Sequence, residues 1–115
     1  MLYALLAYGS ENPQDAARPI SGPITEVLAR PYVAGWARLH ADESATTVRG
    51  GASSQDRPLL TDGPFIESKE FLAGLIMIEA DNLDAALAIA EELQGTRTVG
   101  GIEVRPVREW LFRGA

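Results

Sequence analysis

Apolar and polar positions cut the chain into short alternating segments. Residues 2–8 form an apolar run stopped by Gly9, the pattern of a buried first strand. Residues 9–23 are rich in Ser, Asn, Pro and Gly and read as a loop, with a single turn over 15–18. Ser21 is placed to cap a helix carrying Pro23 in its first turn. Ile24, Val27 and Leu28, at i, i+3 and i+4, give that helix one apolar face. Pro31 lacks a backbone donor and clashes with the carbonyl four residues back, so the helix should end or kink near Ala29. Residues 32–37 read as a second helical piece or an irregular link. The β-branched stretch 45–49 and the short run 57–61 are strand candidates, ended by Gly50-Gly51 and by Asp62-Gly63-Pro64. Residues 71–78 are the strongest strand candidate. The clearest helix covers 82–94: Asp81 or Asn82 caps it, Leu83, Ala86, Leu87, Ala90 and Leu93 make one stripe, and Gly95 suits its exit. Residues 102–105 alternate apolar and charged, as a strand with one wet face does.

The order β, α, β-hairpin region, β, α, β predicts an α+β fold, a ferredoxin-like split βαβ with an antiparallel sheet and both helices on one face. Strict alternation along 71–78 puts Phe71, Ala73, Leu75 and Met77 on one face, and Leu72, Gly74, Ile76 and Ile78 on the other. Both sets are apolar, yet two helices cover a single face. A bare apolar sheet face marks an interaction surface, and a second copy across a two-fold axis is the simplest cover. A homodimer through the sheet face is therefore expected.

Composition narrows the chemistry. At 115 residues the chain is expected to be one domain, 1–115, able to bury a core without staples. It has no Cys, which excludes disulfides, thiolate nucleophiles and cysteine-held metals, and a single His, which excludes a two-imidazole site within one chain. A net charge of −6 gives no electrostatic footprint for nucleic acid. Arg97, Arg105, Arg108 and Arg113 make the C-terminal part locally basic, but Glu103 and Glu109 interrupt it. The apolar runs are far shorter than the ~18 residues of a membrane span, and the N-terminal run lacks a basic leader. No membrane association and a cytoplasmic location are the expectations. Phosphate-loop, dinucleotide, zinc-protease, nucleophile-elbow and EF-hand signatures are missing. Trp110, Leu111 and Phe112 form an apolar tail expected to dock on the partner subunit.

The most distinctive stretch is Thr61-Asp62-Gly63-Pro64-Phe65, followed by Glu67, Lys69 and Glu70 at the entry to the most apolar strand. Asp bonds its own backbone, Gly permits positive φ and Pro sets the exit, so a sharp break is expected. The charges after it have two readings: gatekeepers that keep the strand soluble, or carboxylates of Asp62 and Glu67 at a cleft mouth with Lys69 as charge partner. His40 is likewise either a surface loop residue or a general acid/base near neutral pH. Arg49 either holds an anionic substrate group or pairs with Glu67 or Glu70.

Residues 45–49, the block 60–65, the charged block 67–70 with Leu72-Ala73-Gly74, and the ending 102–107 together resemble the DGPF subgroup of YCII-related proteins. The motifs are specific and span more than half of the chain. The resemblance implies a ferredoxin-like subunit that forms a dimeric α/β barrel. It implies no known reaction; a His–Asp pair is associated with enzymatic activity in YCII itself, and the corresponding acid/base candidates here are His40 and Asp62. Arg49, Phe65, Glu67 and Lys69 are then the candidate substrate-binding residues for a small polar or anionic metabolite. The chain departs from the family where Pro13, Pro19, Pro23 and Pro31 break up the first-helix region, which puts any pocket wall built there in question. Two functions follow: a small cofactor-free enzyme, or a non-catalytic small-molecule-binding or protein-interaction dimer with a regulatory role. Haem or flavin chemistry, with His40 as an axial ligand in the haem case, is a third reading, but nothing else in the sequence asks for a cofactor, and none is expected.

Overall fold

The computed structural model describes residues 1–10, 20, 22–51, 53, 55–66 and 70–113. The strands are β1 (Leu2–Ser10), β2 (Val33–Arg38), β3 (Thr46–Arg49), β4 (Leu59–Asp62), β5 (Glu70–Glu79) and β6 (Gly101–Pro106). The helices are α1 (Gly22–Leu28) and α2 (Leu83–Gln94), with a 3-10 turn at Asp42–Ser44. Four strands form one sheet in the order β2-β5-β1-β6, every neighbouring pair antiparallel. With α1 between β1 and β2 and α2 between β5 and β6, this is ferredoxin-like α+β topology. The expected turn over 15–18 and the Ser21 cap lie outside the described residues.

The central strands β1 and β5 read as nearly continuous apolar runs because each is paired on both sides. Tyr3 and Leu5 on β1 and Ile78 on β5 point to the helices and meet Val27 of α1 and Ala86, Ala90 and Leu93 of α2. Leu5 and Ile78 are fully buried. The small residues at 86 and 90, one turn apart, let the α2 backbone settle close to the sheet. Asn82 caps α2 through its Oδ1, which accepts from the Ala85 amide at 2.9 Å. Gly95 ends the helix with ordinary right-handed backbone, its amide donating to the Glu91 carbonyl at 2.8 Å.

The chain leaves α1 at Leu28, one residue before the stop that Pro31 predicts. It then enters β2, so residues 33–38 are neither helical nor an irregular link. Their register, Val33 against Ile78 and Trp36 against Ile76, makes them the edge strand of the sheet. Ala34, Gly35 and Ala37 dilute the β signal, and a register shift between Val33 and Gly35 interrupts its alternation. The strands foreseen at 45–49 and 57–61 do form, as a separate two-stranded hairpin with Thr46 opposite Asp62 and Arg49 opposite Leu59.

One further difference matters for the cleft. Between Gly74, opposite Ala7, and Leu72, opposite Tyr8, β5 carries an extra residue, Ala73. This bulge changes the phase of the alternation, so buried Phe71, opposite Gly9, shares the helix-bearing face with Gly74 and Ile76. The opposite face holds Leu2, Ala4 and Leu6 on β1 with Leu75 and Met77 on β5.

Candidate ligand cleft

Towards the Ala7 and Gly74 end of the sheet, where α1 begins and α2 finishes, the helix-bearing face stays open. A cleft of about 410 Å³ lies there, bounded by Ile24 and Leu28 of α1, Trp36 and Arg38 of β2, Leu93 of α2, the loop 96–99, and Ile102 of β6. Ala7, Gly9 and Gly74 supply small residues on its sheet side, while Phe71 and Ile76 add apolar surface. The space exists because the central strands carry small side chains at this end and large ones, Tyr3, Leu5 and Ile78, under the helices. Gly74 is small for a second reason: a Cβ there would lie 2.8 Å from the Ala37 carbonyl oxygen.

The 96–99 loop is held by side chains. Thr96 Oγ1 donates to the Leu93 carbonyl at 2.7 Å, and Gln94 Nε2 donates to the Gly100 carbonyl at 3.3 Å. Arg97 reaches back across the sheet end. Its Nη2 donates to the Tyr8 carbonyl, and its Nη1 to Gln94 Oε1 at 3.2 Å and to the Gly101 carbonyl at 3.5 Å. All three acceptors are neutral, and partial burial pulls the Arg97 pKa below the ordinary arginine value. Gly100 has φ +76, and a Cβ there would collide with the Tyr8 carbonyl, so this close approach needs glycine. By contrast, Arg30 is matched by a carboxylate: its two terminal nitrogens donate to the two oxygens of Glu92 at 2.7 Å each, joining the exit of α1 to α2. That hydrogen bonding lowers the Glu92 pKa and raises that of Arg30.

The residues singled out in the sequence stand elsewhere. Exposed His40 follows β2 and lines a smaller recess of about 340 Å³ with Asp42, Ser44, Pro64 and Leu72. Asp62 ends β4, is exposed and does not line that recess. Among the described residues no hydrogen bond joins His40 to Asp62. Asp62-Gly63-Pro64 makes the foreseen break: Gly63 has φ +95, and its carbonyl accepts from Thr47 Oγ1 at 2.7 Å. Arg49 and Phe65 engage each other, with Arg49 Nη2 donating to the Phe65 carbonyl at 3.1 Å and the guanidinium 4.5 Å from the ring centre. Glu67 and Lys69 lie outside the described residues.

None of the four described candidates, His40, Arg49, Asp62 and Phe65, lines the larger cleft. Arg97 and Trp36 do line it, and sequence reasoning passed over both. Arg97 looked like one member of an interrupted basic cluster, because its partner Tyr8 is distant in the chain. A residue-level signal did exist in Gly100-Gly101, which marks a backbone turn beside Arg97. Among the described residues, no cluster of His, Asp or Glu is arranged to hold a metal ion, and no helix is long and apolar enough to cross a membrane.

The fold and cleft define an α+β protein of ferredoxin-like topology with an open, mainly apolar cavity between sheet and helices. The chain belongs to the YCII-related family, whose domain it matches over residues 1–111. It is also 32% identical over 117 residues to an uncharacterised protein of Rhizobium meliloti (strain 1021), covering 93% of this chain and 92% of that one.

Proposed function

We propose that this YCII-related protein is a small-molecule-binding homodimer, with the cleft between sheet and helices as its ligand site. The observation that carries this reading is the cleft itself. At about 410 Å³ it falls within the range of ligand pockets, and a mainly apolar wall meets a few convergent polar groups there. The Asp62-Gly63-Pro64-Phe65 turn, with its left-handed glycine, supports placing the chain in the DGPF subgroup.

Dimerisation is supported by the helix-free sheet face, where Leu2 is buried but Ala4, Leu6, Leu75 and Met77 are only half-buried. Both helices pack on the side of Tyr3, Leu5 and Ile78, leaving Ala4, Leu6, Leu75 and Met77 on the other. A dimeric barrel built on this face would also cover apolar groups that now meet solvent, among them Trp110 and Phe112, whose rings stack 5.3 Å apart. Removal of the residues after Val107 should then weaken the dimer.

A second reading, acid/base catalysis at His40, is favoured by the recess in which His40, Asp42 and Ser44 share one wall. Asp62 would contribute there by holding the hairpin turn. A thermal-shift screen of small metabolites against wild type, Ala7→Phe and Asp62→Asn separates the two readings. A ligand present at a hundred times its Kd adds about 2.7 kcal/mol to the native state. Stabilisation lost in Ala7→Phe and kept in Asp62→Asn is the expected result; the reverse pattern moves the site to the hairpin.

A further inference from the structure

The charge of the cleft is out of keeping with the charge of the molecule. A chain with net charge −6 lines this cavity with two arginines, Arg38, which has a partner of its own, and Arg97, together with Thr96 and Thr98. Among the described lining residues there is no carboxylate. Arg97 is the more telling of the two. A guanidinium has five N–H donors; the three bonds to Tyr8, Gln94 and Gly101 orient it, and among the described residues its Nε–H and one Nη2–H meet no acceptor and no carboxylate matches its charge. Arg30, matched to Glu92, shows the arrangement this chain uses when an arginine serves only to join two elements. Arg97 is half-buried, so its charge is not simply dissipated into water.

We infer that the cleft recognises an organic carboxylate with an apolar body, and that Arg97 anchors the carboxylate. The inference rests on the cleft being the ligand site. Two free N–H donors on one planar, pre-oriented group fit the two oxygens of one carboxylate. The apolar body lies against Ile24, Leu28, Trp36, Phe71 and Ile102, where water released from both surfaces favours binding. A neutral molecule of the same shape keeps the apolar contacts and leaves Arg97 without its counter-charge. Selectivity therefore comes from the anion, and general affinity from the walls.

The test uses 4-phenylbutyrate and its neutral amide as probes, titrated calorimetrically into the wild-type protein and Arg97→Met. In parallel, the Arg97 Nε–H and Trp36 indole N–H resonances are followed by NMR in the wild type. The wild type is expected to bind the carboxylate at least about tenfold more tightly than the amide, a factor typical of one charge-assisted contact. Both probes should move the Trp36 signal and only the carboxylate the Arg97 signal, and Arg97→Met should bind the two equally. Equal affinities in the wild type, with Trp36 shifting, overturn the carboxylate inference and leave the cleft as the ligand site. A carboxylate preference that persists in folded Arg97→Met, or that leaves Arg97 Nε–H unmoved, overturns the anchor. Failure of both probes to bind at millimolar concentration removes the cleft reading along with it. The wild-type titrations and the Arg97 resonance decide the inference even if Arg97→Met does not fold.

Discussion

At the scale of single residues, local chemistry was legible and long-range chemistry was not. Asn82 could be read as a cap because its partner, the Ala85 amide, lies three positions away. Asn82→Ala should cost about 1 kcal/mol in urea denaturation. Gly63 was legible for the same reason: the turn chemistry of Asp-Gly-Pro is contained in three neighbours. Arg97 was not legible, since the carbonyl that orients it belongs to Tyr8 on another strand. The adjacent glycines separate the two kinds of information. Gly100→Ala forces an L-residue into left-handed backbone and drives a methyl against the Tyr8 carbonyl, so it should lose more than the roughly 1–3 kcal/mol of backbone strain alone. Gly101→Ala meets open space with no positive φ and should stay within about 0.5 kcal/mol of wild type. Equal effects of the two substitutions would contradict the account of how the cleft loop is held.

At the scale of elements, α2, β1, β5 and β6 were written in plain hydrophobic patterns, whereas β2 and the phase of β5 were not. An edge strand rich in Ala and Gly makes no alternation that sequence alone can distinguish from a link. A bulge is invisible to a period-two pattern because it is a break in that pattern, and Ala73 moved Phe71 to the cleft face in this way. The pairing of α1 with α2 through Arg30 and Glu92 carries its own pH dependence. Glu92 has a folded pKa below its ordinary value of 4.5, chiefly because it accepts hydrogen bonds from Arg30. The pair's contribution to stability is therefore present above that ordinary value and is lost as pH falls through the folded pKa. Both groups are exposed to solvent, so the contribution is small. Glu92→Gln should be slightly less stable than wild type at pH 7, and the gap should close as the pH falls through the folded pKa of Glu92. A gap that widens on acidification would contradict this assignment.

At the scale of the whole molecule, apolar character on both faces of the central strands is the feature from which a second copy is expected. Leu6, paired with Leu75 on the helix-free face, is the place to test it. Leu6→Arg should shift sedimentation from dimer to monomer at micromolar concentration, while a wild-type protein that sediments as a compact monomer would remove the dimer from the account. The Asp62-Gly63-Pro64-Phe65 turn pointed to the hairpin as the site of chemistry, yet the larger cleft lies between α1, α2 and the central strands. That location could not be read from motifs, since it arises where small residues on β1 and β5 meet the end of a short helix. Backbone amide shift mapping during titration with 4-phenylbutyrate tests this claim most directly. The account predicts that perturbations gather at Ala7, Gly9, Trp36, Arg97 and Ile102; perturbations gathered instead around His40, Asp42 and Asp62 would contradict it.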